Sequence, residues 1–246
     1  MKYLIGLMLL LTFPVCWQAS PVYGQGNSLC HGDSMAAMQQ QDSMPSLKWT
    51  DRMAQSRLYQ ATHVGVPLIV GGLVATSLDK PVHHGRDDLM PHFHCAVDDY
   101  LRFAPAAVMV GLKVAGVPSR SPWDRMLLSD ATSTALMSAT LLALKHSVHV
   151  RRPDGSDRQS FPSGHTAAAF MTATMLSKEY GHLSPWVGIG GYGVATMTGL
   201  MRIANDKHWL SDVIVGAGIG ILATELGYWL TDVLFKAHGK KKMAEK

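Results

Sequence analysis

The chain has 246 residues, with 22 Lys and Arg against 18 Asp and Glu, and 47% of it is hydrophobic. That length allows one good-sized domain with a real core. The basic excess is small, and zinc-type Cys/His spacing, stacking-aromatic motifs and a basic helix are all missing, which argues against nucleic acid as a partner.

Residues 1–24 read as a secretory signal: Lys2 supplies the charged start, Leu4 to Val15 the apolar stretch, and Ala19, Ser20 and Gly24 the small residues. An uncleaved first anchor is the rival reading. Residues 25–46, rich in Gln, Ser, Met and Gly, show no periodicity and are expected to be a poorly ordered leader. Leu47, Trp49, Met53 and Tyr59 among charges suggest an amphipathic helix packed on the core or on a membrane surface. The leader and this helix together make a segment 25–60.

Five or six helices are expected next, over about 62–78, 99–118, 126–149, 164–179, 185–202 and 211–236. Pro81, Pro91, Pro118 to Pro122, Pro153 to Pro162, Gly181 to Pro185 and Asn205-Asp206 break the chain between them. No segment alternates with period two, so strands are not expected. The expected fold class is all-α: a membrane-associated helical bundle of five to six core helices, formed by residues 61–236, with the chemistry at one end and a basic tail at 237–246. Ala, Gly, Thr and Ser dilute the apolar segments. Such residues suit close helix packing in a membrane, and soluble helical cores use them too. A fully soluble bundle is therefore the structural rival, because the clean apolar runs are short for spans.

Cys30 and Cys95 remain once a signal is removed, and in an oxidising compartment they are expected to pair. His83, His84, His92 and His94 crowd the stretch before Cys95. A metal site there is one reading. The interspersed Asp87, Asp88, Asp98 and Asp99 favour a solvated polar loop, and the spacing matches no zinc pattern.

Three clusters carry the chemistry. Lys145 closes one apolar segment and Arg152-Pro153 opens the loop after it; alone, these cations could simply cap a helix C-terminus. Phe161-Pro162-Ser163-Gly164-His165 precedes the apolar run Thr166 to Leu176. Ser163 is a natural N-cap, Gly164 permits close approach of a ligand, and the first-turn N–H groups make an anion site. The bland alternative is a capped helix with a surface His. In the third cluster Arg202 precedes His208 and Asp212, which are four residues apart and would share one helix face. An Asp that accepts a hydrogen bond from one imidazole nitrogen fixes the tautomer and makes the other nitrogen nucleophilic; an ordinary His–Asp pair is the alternative. Together the clusters supply what phosphoryl transfer needs: a cationic cradle, a nucleophile and an acid for the leaving group.

In this form the sequence resembles the type 2 phosphatidic acid phosphatase and vanadium haloperoxidase superfamily, within it the bacterial membrane lipid phosphatases of the lipid A phosphatase kind. Lys145-x6-Arg152-Pro153, Pro162-Ser163-Gly164-His165 and Arg202-x5-His208-x3-Asp212 match its three motifs in order, over roughly residues 60 to 236. Met201 departs from the Ser or Thr usual before the Arg, which removes one phosphate hydrogen bond. The resemblance implies that His208 attacks phosphorus, Asp212 orients it, and His165 protonates the leaving oxygen and then activates water. It implies that Lys145, Arg152, Arg202, Ser163 and the Gly164 backbone hold the phosphoryl oxygens, and that no metal or other cofactor takes part. His149 and Arg151 lie nearby with no role assigned.

Lys236, Lys240, Lys241, Lys242, Arg120, Arg125 and Lys178 would face the cytoplasm by the positive-inside rule. The three clusters then face the periplasm from the inner membrane, segment 62–78 fails to cross, and five helices span. The expected substrate is a membrane lipid phosphate or diphosphate of the lipid A, undecaprenyl diphosphate or phosphatidic acid type, with no obligate protein partner. A secreted acid phosphatase acting on soluble esters is the second enzyme reading. A non-catalytic anion-binding membrane protein is the reading from a different class.

Overall fold

The computed structural model describes residues 57–244. The signal at 1–24, almost all of the segment 25–60, and Cys30 lie outside the described residues. The order is α1 (Arg57–Thr62), α2 (Gly65–Val74), a 3-10 turn (Ala75–Leu78), α3 (Asp79–Leu89), α4 (Asp98–Leu101), α5 (Ala104–Val114), α6 (Trp123–Ser147), α7 (Gly164–Tyr180), α8 (Pro185–Ala204) and α9 (Leu210–Ala244). The described residues contain no strand.

Helix α9 is the post around which α2, α6 and α7 pack, and α8 packs on α7. Two apolar clusters flank α9. One joins Val64, Phe170, Tyr192 and Ala195 to Val213, Ala217 and Ile221. The other joins Met109, Met137, Ala167 and Met171 to Val215, Ile219 and Ala223. Small residues set the spacing. A Cβ on Gly216 would lie 2.6 Å from the Ser163 carbonyl oxygen, and one on Gly220 would lie 2.2 Å from that of Ala167. Real Cβ contacts are longer, so these two glycines let α9 lie directly against the backbone of α7 and the loop before it.

The expected helices at 126–149, 164–179 and 185–202 appear as α6 to α8 within a few residues, and 211–236 appears as α9, which runs on to Ala244. Two expectations are corrected. The span 99–118 is interrupted: α4 ends at Leu101 and α5 begins at Ala104, with Pro105 in its first turn, where the missing N–H costs nothing. The polar stretch Asp79–Leu89 is a helix and not a solvated loop, whereas 90–97, with His92 and His94 exposed, is irregular as expected. Pro81 sits in the first turn of α3, where proline is tolerated, so it does not break the chain there.

Among the described residues two helices are long and apolar enough to cross a membrane, Trp123–Ser147 and Leu210–Lys236. The first leaves most of its apolar face open, whereas the second is largely buried in the bundle. Helix α2, at about 15 Å, falls well short of a hydrocarbon core about 30 Å thick. Arg120, Arg125 and Lys178 gather at one end of the bundle. There Arg120 and Arg125 pair with Asp232, and Lys178 pairs with Glu225 at 2.7 Å. Lys145, Arg152 and Arg202 lie at the other end.

Candidate active site

The three clusters converge at the end of the bundle where α6 stops, α7 starts and α8 hands over to α9. Ser163 caps α7, its hydroxyl accepting from the Thr166 amide at 3.4 Å, and it is fully buried. The amides of Gly164 and His165 lie in a first turn that offers them no intrahelical acceptor. The Ser163 amide donates to the Asp212 carbonyl at 3.1 Å, which joins the start of α7 to the start of α9.

His208 does not share a helix with Asp212, as its spacing suggested. It lies in the loop just before α9, and Asp212 occupies the first turn of that helix. The carboxylate reaches back to accept from the Trp209 amide at 3.0 Å, as in a capping box. The Ser160 hydroxyl donates to the same oxygen. His208 Nδ1 faces that oxygen at 3.6 Å, with both residues buried. This is longer than a hydrogen bond; an approach of about 0.7 Å would close it, and catalytic hydrogen bonds are often loose before substrate arrives. Burial holds the His208 imidazole below its ordinary pKa. The Asp212 carboxylate pulls the other way, and the Arg202 and Arg152 charges reinforce burial. His208 is therefore neutral near pH 7, with Nδ1 as the nitrogen that faces Asp212.

Each expected cation is tied to a protein acceptor. Lys145 Nζ donates to the Gln159 carbonyl at 2.7 Å, and Arg152 Nε to Asp157 at 2.9 Å. Arg202 Nη1 donates to Asp98 at 2.7 Å in a buried ion pair. Arg202 Nε is buried without an acceptor, Asp212 Oδ1 without a donor, and His208 Nδ1 without a hydrogen-bond partner in the protein. Buried orphan polar atoms are uncommon, and three at one place mark a site built for something other than its own fold.

His165 opens α7 outside both candidate spans, and its Nε2 contacts Asp99 at 2.7 Å. Burial and the Arg202 charge push its pKa down to about 4, against the opposing pull of Asp99. It is therefore neutral at pH 7 in the free site, and negative charge arriving beside Arg202 would raise its pKa by offsetting that cation.

Sequence reasoning missed Asp98, Asp99, Asn205 and Ser160. Asn205 holds the loop before α4 by two backbone bonds to Cys95, at 2.7 and 2.9 Å, and donates to Asp98 at 3.1 Å. The tandem Asp98-Asp99 thus grips Arg202 with one carboxylate and His165 with the other. The pattern of Asp and His before Cys95 was visible, but nothing local tied it to residues more than sixty positions away. The four histidines read as a possible metal site are not brought together. Among the described residues His83 instead groups with Asp87 and Asp206.

The pattern of the PAP2 superfamily matches residues 126–236, which contain all three clusters. The chain carries a PAP2 superfamily domain. The chain is also 36% identical over 237 residues to the lipid A 1-phosphatase of Porphyromonas gingivalis, covering 96% of this chain and 52% of that protein. It thus spans about half the length of this curated relative. Two solved structures are similar. The Aquifex aeolicus LpxE structure has a TM-score of 0.45 and 22% identity, over 58% of this chain and 92% of that one. A transmembrane PAP2-type phosphatidylglycerolphosphate phosphatase from Bacillus subtilis has a TM-score of 0.48 and 18% identity, over 73% and 97%. The PAP2 match agrees with the motif resemblance, and among the described residues the matched segment holds helices and loops but no strand.

Proposed function

We propose that this PAP2 chain removes phosphate from a membrane lipid phosphate or diphosphate through a phosphohistidine. The observation that carries the reading is a neutral, buried His208 set between Asp212 and the Arg202 and Arg152 charges, with His165 beside the same Arg202. His208 Nε2 attacks phosphorus as the bond to the leaving oxygen breaks, and His165 gives that oxygen its proton. Asp212 offsets the charge that develops on His208. Water then loses a proton to His165, attacks phosphorus and breaks the P–N bond. Arg202 and Arg152, with Lys145 and the first-turn amides of Gly164 and His165, offset the phosphoryl charge. Nothing in these steps requires a metal or other cofactor.

The kinship with a lipid A 1-phosphatase, the exposed apolar face of α6 and the length of α9 support a substrate held in a bilayer. The cations gathered at the end opposite the site support an active site facing the periplasm from the inner membrane. Residues 1–24 fit a signal, 25–60 a leader and amphipathic helix, 61–236 the catalytic domain and 237–246 a basic tail. Helix α9 itself continues to Ala244.

The test is phosphate release by the detergent-purified full chain in EDTA. The panel is lipid A, undecaprenyl diphosphate, phosphatidic acid and a small aryl phosphate, with His208→Ala as control. Release from a lipid, lost in the variant, is expected. Release from the aryl ester alone would replace this reading with a phosphatase of soluble esters. Turnover that survives in His208→Ala would overturn the mechanism.

A further inference from the structure

Helix α3 lies outside the three motifs, and its polar face points at the loop that bears His208. Asp79, His83 and Arg86 are spaced four and three apart, so they line one face of the helix. Each meets a different point of the segment from the end of α8 to the start of α9. Arg86 donates through Nε and Nη2 to the Ala204 carbonyl, at 3.0 and 2.9 Å. Asp79 accepts from the Ser211 amide at 2.8 Å and from its hydroxyl at 2.7 Å. Between them His83 Nε2 lies 2.9 Å from an Asp206 carboxylate oxygen, an ion-pair contact outside hydrogen-bond geometry, and its ring packs on Trp209 with centroids 5.3 Å apart.

The chemistry of these contacts is complementary. The end of α8 presents orphan carbonyls and partial negative charge, and receives a guanidinium. The start of α9 presents orphan amides and partial positive charge, and receives a carboxylate. What lies between is the five-residue loop Asn205 to Trp209. It needs holding, because Asp206 takes a φ of 60°, a conformation that favours glycine. Only about one water could fit in the cavity of roughly 10 Å³ that α3 shares with His208 and Trp209.

We propose that α3 is a brace whose Arg86, His83 and Asp79 position the nucleophile His208 by clamping both ends and the middle of its loop. The three are positioning residues, since each acts through the segment that bears His208. The proposal rests on the phosphohistidine reading above. A bond made by an attacking nitrogen is sensitive to distance, and a misplacement of about 1 Å can cost about a hundredfold in rate.

The variants are Arg86→Ala, Arg86→Lys, His83→Phe, Asp79→Ala and Asp79→Asn, in the full chain in detergent. Lysine keeps the charge but loses the two-pronged bond. Phenylalanine keeps the ring on Trp209 but loses the contact with Asp206. Asparagine keeps an acceptor for the Ser211 amide. Pre-steady-state bursts with a small aryl phosphate separate the fraction of competent sites (amplitude) from the speed of phosphorylation (rate constant). Peptide-resolved hydrogen exchange reads residues 204–211 whether or not the protein turns over.

The expected result has three parts. Arg86→Ala and Asp79→Ala keep the burst amplitude and a KM within about threefold, and phosphorylate about a hundredfold slower. Arg86→Lys and His83→Phe fall between these and wild type, and Asp79→Asn recovers most of the rate. Exchange quickens at 204–211 while α7 keeps its protection. The brace is overturned if exchange at 204–211 is unchanged, or if rates fall only in proportion to amplitude, which would make α3 a fold element alone. A wild-type protein that releases no phosphate would sink the phosphatase reading, and the exchange data would still decide whether α3 holds the loop.

Discussion

Replacing Asp98 with Ala removes one half of a buried ion pair. The Asp98 side chain is 1% exposed and that of Arg202 is 9% exposed, so neither charge has water to fall back on. Both carboxylate oxygens are in use, one by Arg202 and one by Asn205. Truncation leaves a guanidinium buried without its counter-charge, which costs about 3–5 kcal/mol. Asp98→Asn keeps an acceptor for Arg202 and loses the charge, so it should cost about 1.5–3 kcal/mol, the usual worth of a hydrogen bond to a charged group. Chemical unfolding in mixed micelles measures both. A further consequence separates this account from simple loss of packing. If Arg202 also faces the anion site, phosphate or vanadate can replace the missing carboxylate and should stabilise Asp98→Ala more than wild type. An Asp98→Ala variant within about 1 kcal/mol of wild type, or one that the anion stabilises no more than wild type, would refute the reasoning.

Asp99 pulls the His165 pKa upward against burial, so Asp99→Asn should move its titration midpoint below about 4. Bound vanadate should raise the midpoint in wild type by offsetting Arg202, and histidine NMR across pH reads both shifts; a midpoint indifferent to either change counts against the assigned contacts. Ser160→Ala removes one of two donors on the Asp212 oxygen nearest His208. Because Asp212 then holds its place less firmly, the phosphorylation rate should fall about tenfold with KM little changed; an unchanged rate would free Ser160 of any role. In Gly216→Ala a Cβ meets the Ser163 carbonyl at 2.6 Å, so stability should drop by about 1–3 kcal/mol and activity with it. Gly193→Ala meets nothing within 4 Å and should be neutral or mildly stabilising, which makes it the matched control.

The helices were legible where apolar runs are long and their breakers sit between them. Helices α6 to α9 follow directly from such runs, and so do the three clusters, because each motif is local. Ser163 as an N-cap needed only the run after it and the known chemistry of helix starts. The His208–Asp212 spacing was legible as a pair but not as a geometry. A spacing of four suggests one helix face, and the chain instead starts the helix at Leu210 so that Asp212 can reach back to the Trp209 amide. That choice leaves His208 on a turn just before the helix, and not on the helix face that carries Asp212.

What was not legible is the wiring between distant segments. Asp98 and Arg202 are 104 residues apart, and Arg86 and Ala204 are 118; no periodicity connects such positions. Helix α3 shows how a local misreading hides a long-range role. Pro81 and a dense run of charges suggested a solvated loop, and a loop has no face. Once Pro81 is placed in a first turn, where it does no harm, the same residues acquire helical spacing, and Asp79, His83 and Arg86 fall on one side. A polar helix with one patterned face needs a polar partner, and the orphan backbone groups at facing helix ends are a natural one. The loop between the C-terminus of α8 and the N-terminus of α9 presents both kinds, five residues apart, with the nucleophile between them.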